Sequence, residues 1–131
     1  MLTGNSVLVV DDEAGIRQLA ARFLTAAGCE SHGAANGREA ITVLEHNPID
    51  VAVIDMIMPE KEGVETIVEV KSRWPNLKVI AISGGGRLAP EDFLRLASMV
   101  GADATMKKPL NFKEMLVRID GLLNPVQFGQ A

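Results

Sequence analysis

Asp55 closes the apolar run Val51-Ala52-Val53-Ile54 and is followed at once by Met56-Ile57-Met58-Pro59. A carboxylate at the end of a buried strand is costly unless a charged or hydrogen-bonding group meets it. Three other apolar runs end in groups that could do so. Asp11-Asp12 follow Val7-Leu8-Val9-Val10, Ser83 follows Val79-Ile80-Ala81-Ile82, and Lys108 follows Ala104-Thr105-Met106-Lys107. If these tips converge, the carboxylates repel one another, and an oxygen-rich site of that kind suits Mg²⁺. Aspartate can be the nucleophile in phosphoryl transfer. An incoming phosphoryl group brings about two negative charges at neutral pH. A metal and a lysine can hold its oxygens as charge shifts, and a serine hydroxyl adds an orientable hydrogen bond.

The elements that position these residues alternate. Strands are expected over 6–10, 30–34, 50–55, 78–83 and 104–106. The first is short, β-branched and nearly all apolar, as suits a strand buried on both faces of a parallel sheet. The second is weaker and is expected near an edge. Helices are expected over 14–27, 38–47, from 64 to about Trp74, over 90–100, and from Asn111 to about Leu123. Ile16, Leu19, Ala20, Phe23 and Leu24 form one apolar stripe of the first helix. Gly28 and Gly101 sit where helices end, and Asn36 and Asn111 where helices begin. Pro48 and Pro75 stop the second and third helices. Five strands alternating with five helices imply an α/β sandwich, a parallel sheet with helices on both faces. Ligands in such sheets bind outside the carboxyl ends of the strands. One domain is expected over 1–124, with 125–131 as a tail.

Composition narrows the function. With 47% apolar residues and only 4% aromatics, aliphatic side chains fill the core. The net charge of -4, with no basic cluster, argues against a nucleic-acid surface. Cys29 is the only cysteine, so no intrachain disulfide can form and a reducing compartment is expected. No signal-peptide pattern and no apolar stretch of about 20 residues is present, so a cytoplasmic domain is expected.

Four motifs in this order and spacing carry a resemblance that covers nearly the whole chain. They are Val-Leu-Val-Val-Asp11-Asp12-Glu13, Asp55-Met-Ile-Met-Pro59 with Gly63, Ile82-Ser83-Gly84, and Lys108-Pro109. The chain resembles the response-regulator receiver domains of bacterial two-component signalling. The resemblance implies a flavodoxin-like, doubly wound (βα)5 fold with strand order 2-1-3-4-5. It implies that Asp55 accepts a phosphoryl group from a histidine kinase or histidine phosphotransfer protein, with Mg²⁺ as cofactor. Asp12 and Asp55 would bind the metal, Asp12 directly, Asp11 mostly through water, and the backbone carbonyl of Ile57 would be a further ligand. Ser83 would contact a phosphoryl oxygen and Lys108 would pair with the phosphate. The Lys108-Pro109 bond can be cis in such a turn. A receiver promotes only its own phosphorylation and dephosphorylation, and signals through a protein partner on the face of helix four, strand five and helix five. No output domain fits after the fifth helix, so the sequence reads as a complete single-domain regulator or an excised receiver.

Departures from the family pattern carry expectations. Receivers usually hold Tyr or Phe three residues before the lysine, where this chain has Thr105. The switch is therefore expected in Gly84-Gly85-Gly86, readable as amide exchange that changes with a phosphate mimic. Ile57 cannot act as acid or base beside the acceptor, so a long-lived phosphorylated state is expected.

Blander readings stand beside these. Asp11 or Asp12 could cap the first helix. Lys107 competes with Lys108, but adjacent strand residues point to opposite faces. His32 and His46 lack a clustered partner and are expected to play surface roles. Three other functions are possible on this topology. A flavin carrier would need a Ser/Thr/Gly-rich phosphate loop where Asp11-Asp12-Glu13 stands. A phosphorylation-independent pseudo-receiver is opposed by the intact set of Asp12, Asp55, Ser83 and Lys108. An aspartate-based phosphatase is opposed by Ile57.

Overall fold

The computed structural model describes residues 2–56, 63–83 and 90–125. Five strands and five helices alternate as β1(Ser6–Val10), α1(Ala14–Ala26), β2(Glu30–Ala34), α2(Gly37–His46), β3(Val51–Asp55), α3(Gly63–Arg73), β4(Lys78–Ser83), α4(Pro90–Met99), β5(Ala104–Lys107) and α5(Phe112–Leu123). The expected elements are all present, and their ends differ by one or two residues, as terminal turns fray. β5 runs one residue further than expected, through Lys107.

All strands pair in parallel, in the order β2-β1-β3-β4-β5. The fold is thus the flavodoxin-like arrangement that the resemblance implies. β1 and β3 are fully buried along their length, whereas β2 has an exposed or half-buried residue at every position but Ala34. That difference follows from position, because β2 is an edge strand.

The period-2 alternation of strand side chains divides the core into two layers. Leu8, Val10, Ala52, Ile54, Val79 and Ala81 pack with residues of α2, α3 and α4. Val7, Val9, Val51, Val53, Ile80 and Ile82 pack with residues of α1 and α5. The helices therefore cover both faces, and every strand end is forced to the sheet's two open edges. Met56, next after β3, is buried in the first layer.

The helix ends follow from local chemistry. Asn36 and Asn111 accept backbone N–H bonds from Glu39 (2.9 Å) and Glu114 (3.0 Å). Gly28 and Gly101 take positive φ angles of 90° and 93°. Each is followed by a six-to-one bond, Cys29 N–H to Leu24 O and Ala102 N–H to Ala97 O. Glu13, not Asp11 or Asp12, occupies the N-cap position of α1, and its side chain makes no cap bond. No helix among the described residues is long and apolar enough to cross a membrane.

Candidate functional site

Because the sheet is parallel, the carboxyl ends of its strands lie along one edge. Asp11 follows β1, Asp55 closes β3, Ser83 closes β4 and Lys108 follows β5. The register sets Asp55 opposite Ile82 and Ser83 opposite Lys107. Lys108 N–H donates to Ser83 O at 3.0 Å, tying the exit of β5 to the end of β4. Its side chain turns inward. Lys108 Nζ donates to Asp55 Oδ2 at 2.8 Å and lies 3.2 Å from Asp11 Oδ2. Lys107 is exposed. The Lys108-Pro109 bond is cis.

Asp11 and Asp55 are each only 1% exposed. Burial by itself disfavours the charged lysine, but hydrogen bonds and charge from Asp55, then from Asp11, outweigh it. The Lys108 pKa is raised above its ordinary value. Asp11 is held at several atoms. Its N–H donates to Ala34 O at 3.0 Å, and its Oδ1 accepts from Glu13 N–H at 2.9 Å. Its Oδ2 is buried without an aligned hydrogen bond, although the Lys108 ammonium is close enough for ion pairing. Asp12 is exposed. Asp11, Asp12 and Asp55 each bring a carboxylate oxygen within 4.8 Å of the others. Three clustered carboxylates, two of them buried and sharing a single ammonium, form an oxygen-rich site that fits a hard divalent cation.

The motif glycine at the start of α3 has a physical reason. A Cβ on Gly63 would overlap the Asp55 carbonyl oxygen and Met56 Cα. Only a bare backbone fits there. The sequence marked Gly63 through the resemblance but not through this contact. Arg17 escaped sequence reasoning altogether. Its Nη1 donates to Asp11 O at 2.7 Å. The signal was its place one turn into α1, where a long basic side chain can reach back over the preceding loop.

Other candidates lie elsewhere. His32 Nε2 is 2.9 Å from Glu30 Oε1 on edge strand β2, and His46 Nδ1 is 2.8 Å from Thr42 O at the end of α2. Cys29 is buried, and burial, then the charge of Asp50, raises its thiol pKa. A groove of about 540 Å³ beside Trp74, Leu122 and Leu123 lies at the opposite edge of the sheet. Ile57 with its expected carbonyl ligand, Met58-Pro59, Gly84-Gly85-Gly86 and the tail beyond 125 fall outside the described residues. Thr105 is half-buried in β5 and faces Ala81 in the register.

Comparison with known proteins agrees with this architecture. The family profile of the response regulator receiver domain matches residues 7–120. The chemotaxis protein CheY of Thermotoga maritima is 39% identical over 87 residues, 66% of this chain and 72% of that protein. The sensor kinase CckA of Brucella abortus is 30% identical over 125 residues, 93% of this chain but 13% of the kinase. The chain spans 49% and 50% of the length of further response regulators that it matches. A CheY-like receiver domain from Methanospirillum hungatei superposes with a TM-score of 0.84 at 27% identity, covering 95% of each chain. With the profile spanning most of its length, the chain belongs to the receiver domains of two-component response regulators.

Proposed function

We propose that the chain is a phosphoryl-accepting switch whose acceptor is Asp55. The observation that carries this reading is the buried Asp55 carboxylate, bonded to Lys108 at 2.8 Å and clustered with Asp11 and Asp12. The phosphoryl donor is a phosphohistidine on a sensor kinase or histidine phosphotransfer protein. The P–N bond breaks with its electron pair returning to the imidazole, which takes up a proton from solvent, and a P–O bond to Asp55 forms, leaving a neutral imidazole and an acyl phosphate.

Asp11, Asp12 and the Ile57 carbonyl would hold Mg²⁺ beside Asp55. Bound there, the metal supplies charge neutralisation for the phosphoryl oxygens. Lys108, bonded to Asp55, would follow the charge from that carboxylate onto the phosphate. Ser83, at the end of the adjacent strand, would donate its hydroxyl to a phosphoryl oxygen. The cytoplasm is the compartment in which such a donor and a free thiol at Cys29 coexist. The output is a shift in affinity for a protein partner at the α4–β5–α5 face. The shift can be no larger than the difference in that partner's affinity for the two states.

A small acyl-phosphate donor with Mg²⁺ tests the reading. The wild-type mass is expected to rise by one phosphoryl group, and Asp55→Asn or chelation of the metal is expected to abolish the gain. Equal uptake by Asp55→Asn contradicts it. Persistence of the product tests the position two residues beyond the acceptor. An Ile57→Asn variant is expected to lose its phosphate several-fold faster than wild type, because an amide can orient the attacking water. Unchanged loss contradicts that role.

A further inference from the structure

We infer that Arg17 is a positioning residue that sets the metal affinity of the site by clamping the backbone of Asp11. The inference rests on the phosphoacceptor reading above. The Asp11 carbonyl leaves β1 where the ladder ends. There the Arg17 guanidinium takes it up at 2.7 Å, a charge-assisted bond from half-buried Nη1. This completes a set of fixed points on one residue, with Asp11 N–H bonded to Ala34 O and Asp11 Oδ1 bonded to Glu13 N–H. What remains is Oδ2, buried without an aligned hydrogen bond and facing the Lys108 ammonium at 3.2 Å. The clamp therefore fixes the loop that carries both Asp11 and Asp12, and presents their carboxylates to a cation without rearrangement.

The path of the side chain is also built. Arg17 crosses edge strand β2 at Gly33, whose absent Cβ would lie 3.5 Å from Arg17 Cδ. A single Cβ is at ordinary contact distance there, but the two γ-methyl groups of a valine would push the stem aside. Groups that orient metal ligands typically change affinity by about 10–100-fold when removed.

Calorimetric titration of the unphosphorylated full chain with Mg²⁺ is the test. Arg17→Met is expected to weaken binding about tenfold, and Arg17→Lys, which keeps one cationic donor, to recover most of the loss. Gly33→Val is an independent variant that leaves Arg17 in the sequence. Valine suits an edge strand, so the fold is retained while Mg²⁺ binding weakens as in Arg17→Met. At saturating Mg²⁺ the rate of phosphoryl uptake is expected to return to wild type in all three, which a general loss of structure would not allow. Binding by Arg17→Met and Gly33→Val within twofold of wild type overturns the inference, while wild-type phosphoryl uptake leaves the acceptor reading standing. Wild type that neither binds Mg²⁺ nor takes up phosphate overturns both.

Discussion

Lys108→Met is expected to cost the metal-free fold about 2 kcal/mol at neutral pH and to slow phosphoryl uptake about 100-fold. Two carboxylates, each 1% exposed, share this ammonium. Removing one partner of a buried ion pair costs roughly 3–5 kcal/mol. The Lys108 side chain is 19% exposed, so water screens part of the interaction and the smaller figure applies. Urea unfolding measures the stability loss. Millimolar Mg²⁺ is expected to stabilise the variant more than wild type, because the cation then neutralises charge that the lysine no longer meets. The pH dependence has a definite sign. The folded-state pKa of Lys108 is raised. Its stabilising contribution is therefore complete below the unfolded value, about 10.4, and is lost as pH rises through the folded value. Wild type is expected to lose stability in that alkaline window by an increment that Lys108→Met lacks. Identical unfolding curves for the two proteins at neutral pH contradict the shared-ammonium picture.

Gly63→Ala is expected to destabilise the chain by about 3 kcal/mol, at the upper end of overpacking costs. The new methyl group overlaps backbone atoms of Asp55 and Met56, which have no rotamer to escape into. α3 must retreat from the end of β3, or the end of β3 that bears Asp55 must shift. Stability and phosphoryl uptake are thus expected to fall together. Gly121→Ala is the matched control. That glycine lies inside α5 with nothing within 4 Å of an added Cβ. Alanine there is expected to raise stability by roughly 0.5–1 kcal/mol and leave uptake unchanged. A Gly63→Ala protein as stable as wild type contradicts the close approach.

The sheet was legible because its central strands are buried on both faces. Val7 to Val10 and Val51 to Ile54 have no polar face to confuse the period, and each ends abruptly in a charged residue. A parallel sheet then aligns those ends, so the sequence pattern alone sets Asp11, Asp55, Ser83 and Lys108 along one edge. The order of the strands is different in kind. It rests on pairings between distant segments, and the sequence yielded it only through the family resemblance.

What escaped the sequence was contact made by atoms that carry no pattern. Arg17 reads in sequence as a solvated helix charge, yet its guanidinium holds a backbone carbonyl. Lys71 reads as a surface lysine, yet it bonds Leu77 O at 2.9 Å and Asp103 Oδ2 at 3.1 Å. That ties the turn before β4 to the turn before β5. Backbone acceptors are present at every residue, so which one a long side chain will find depends on tertiary packing. The unequal burial of Asp11 and Asp12 has the same origin. Adjacent carboxylates look equivalent in sequence, yet Asp11 alone turns inward, its Oδ1 accepting from Glu13 N–H and its Oδ2 facing the Lys108 ammonium.

Trapping the acyl phosphate at residue resolution tests the central claim most directly. The chain is phosphorylated with a small acyl-phosphate donor and Mg²⁺, quenched with hydroxylamine, digested and sequenced by mass spectrometry. The account predicts a hydroxamate at Asp55 and nowhere else. A hydroxamate at Asp11 or Asp12 with Asp55 unmodified, or a phosphoryl group retained on His32 or His46, would contradict it.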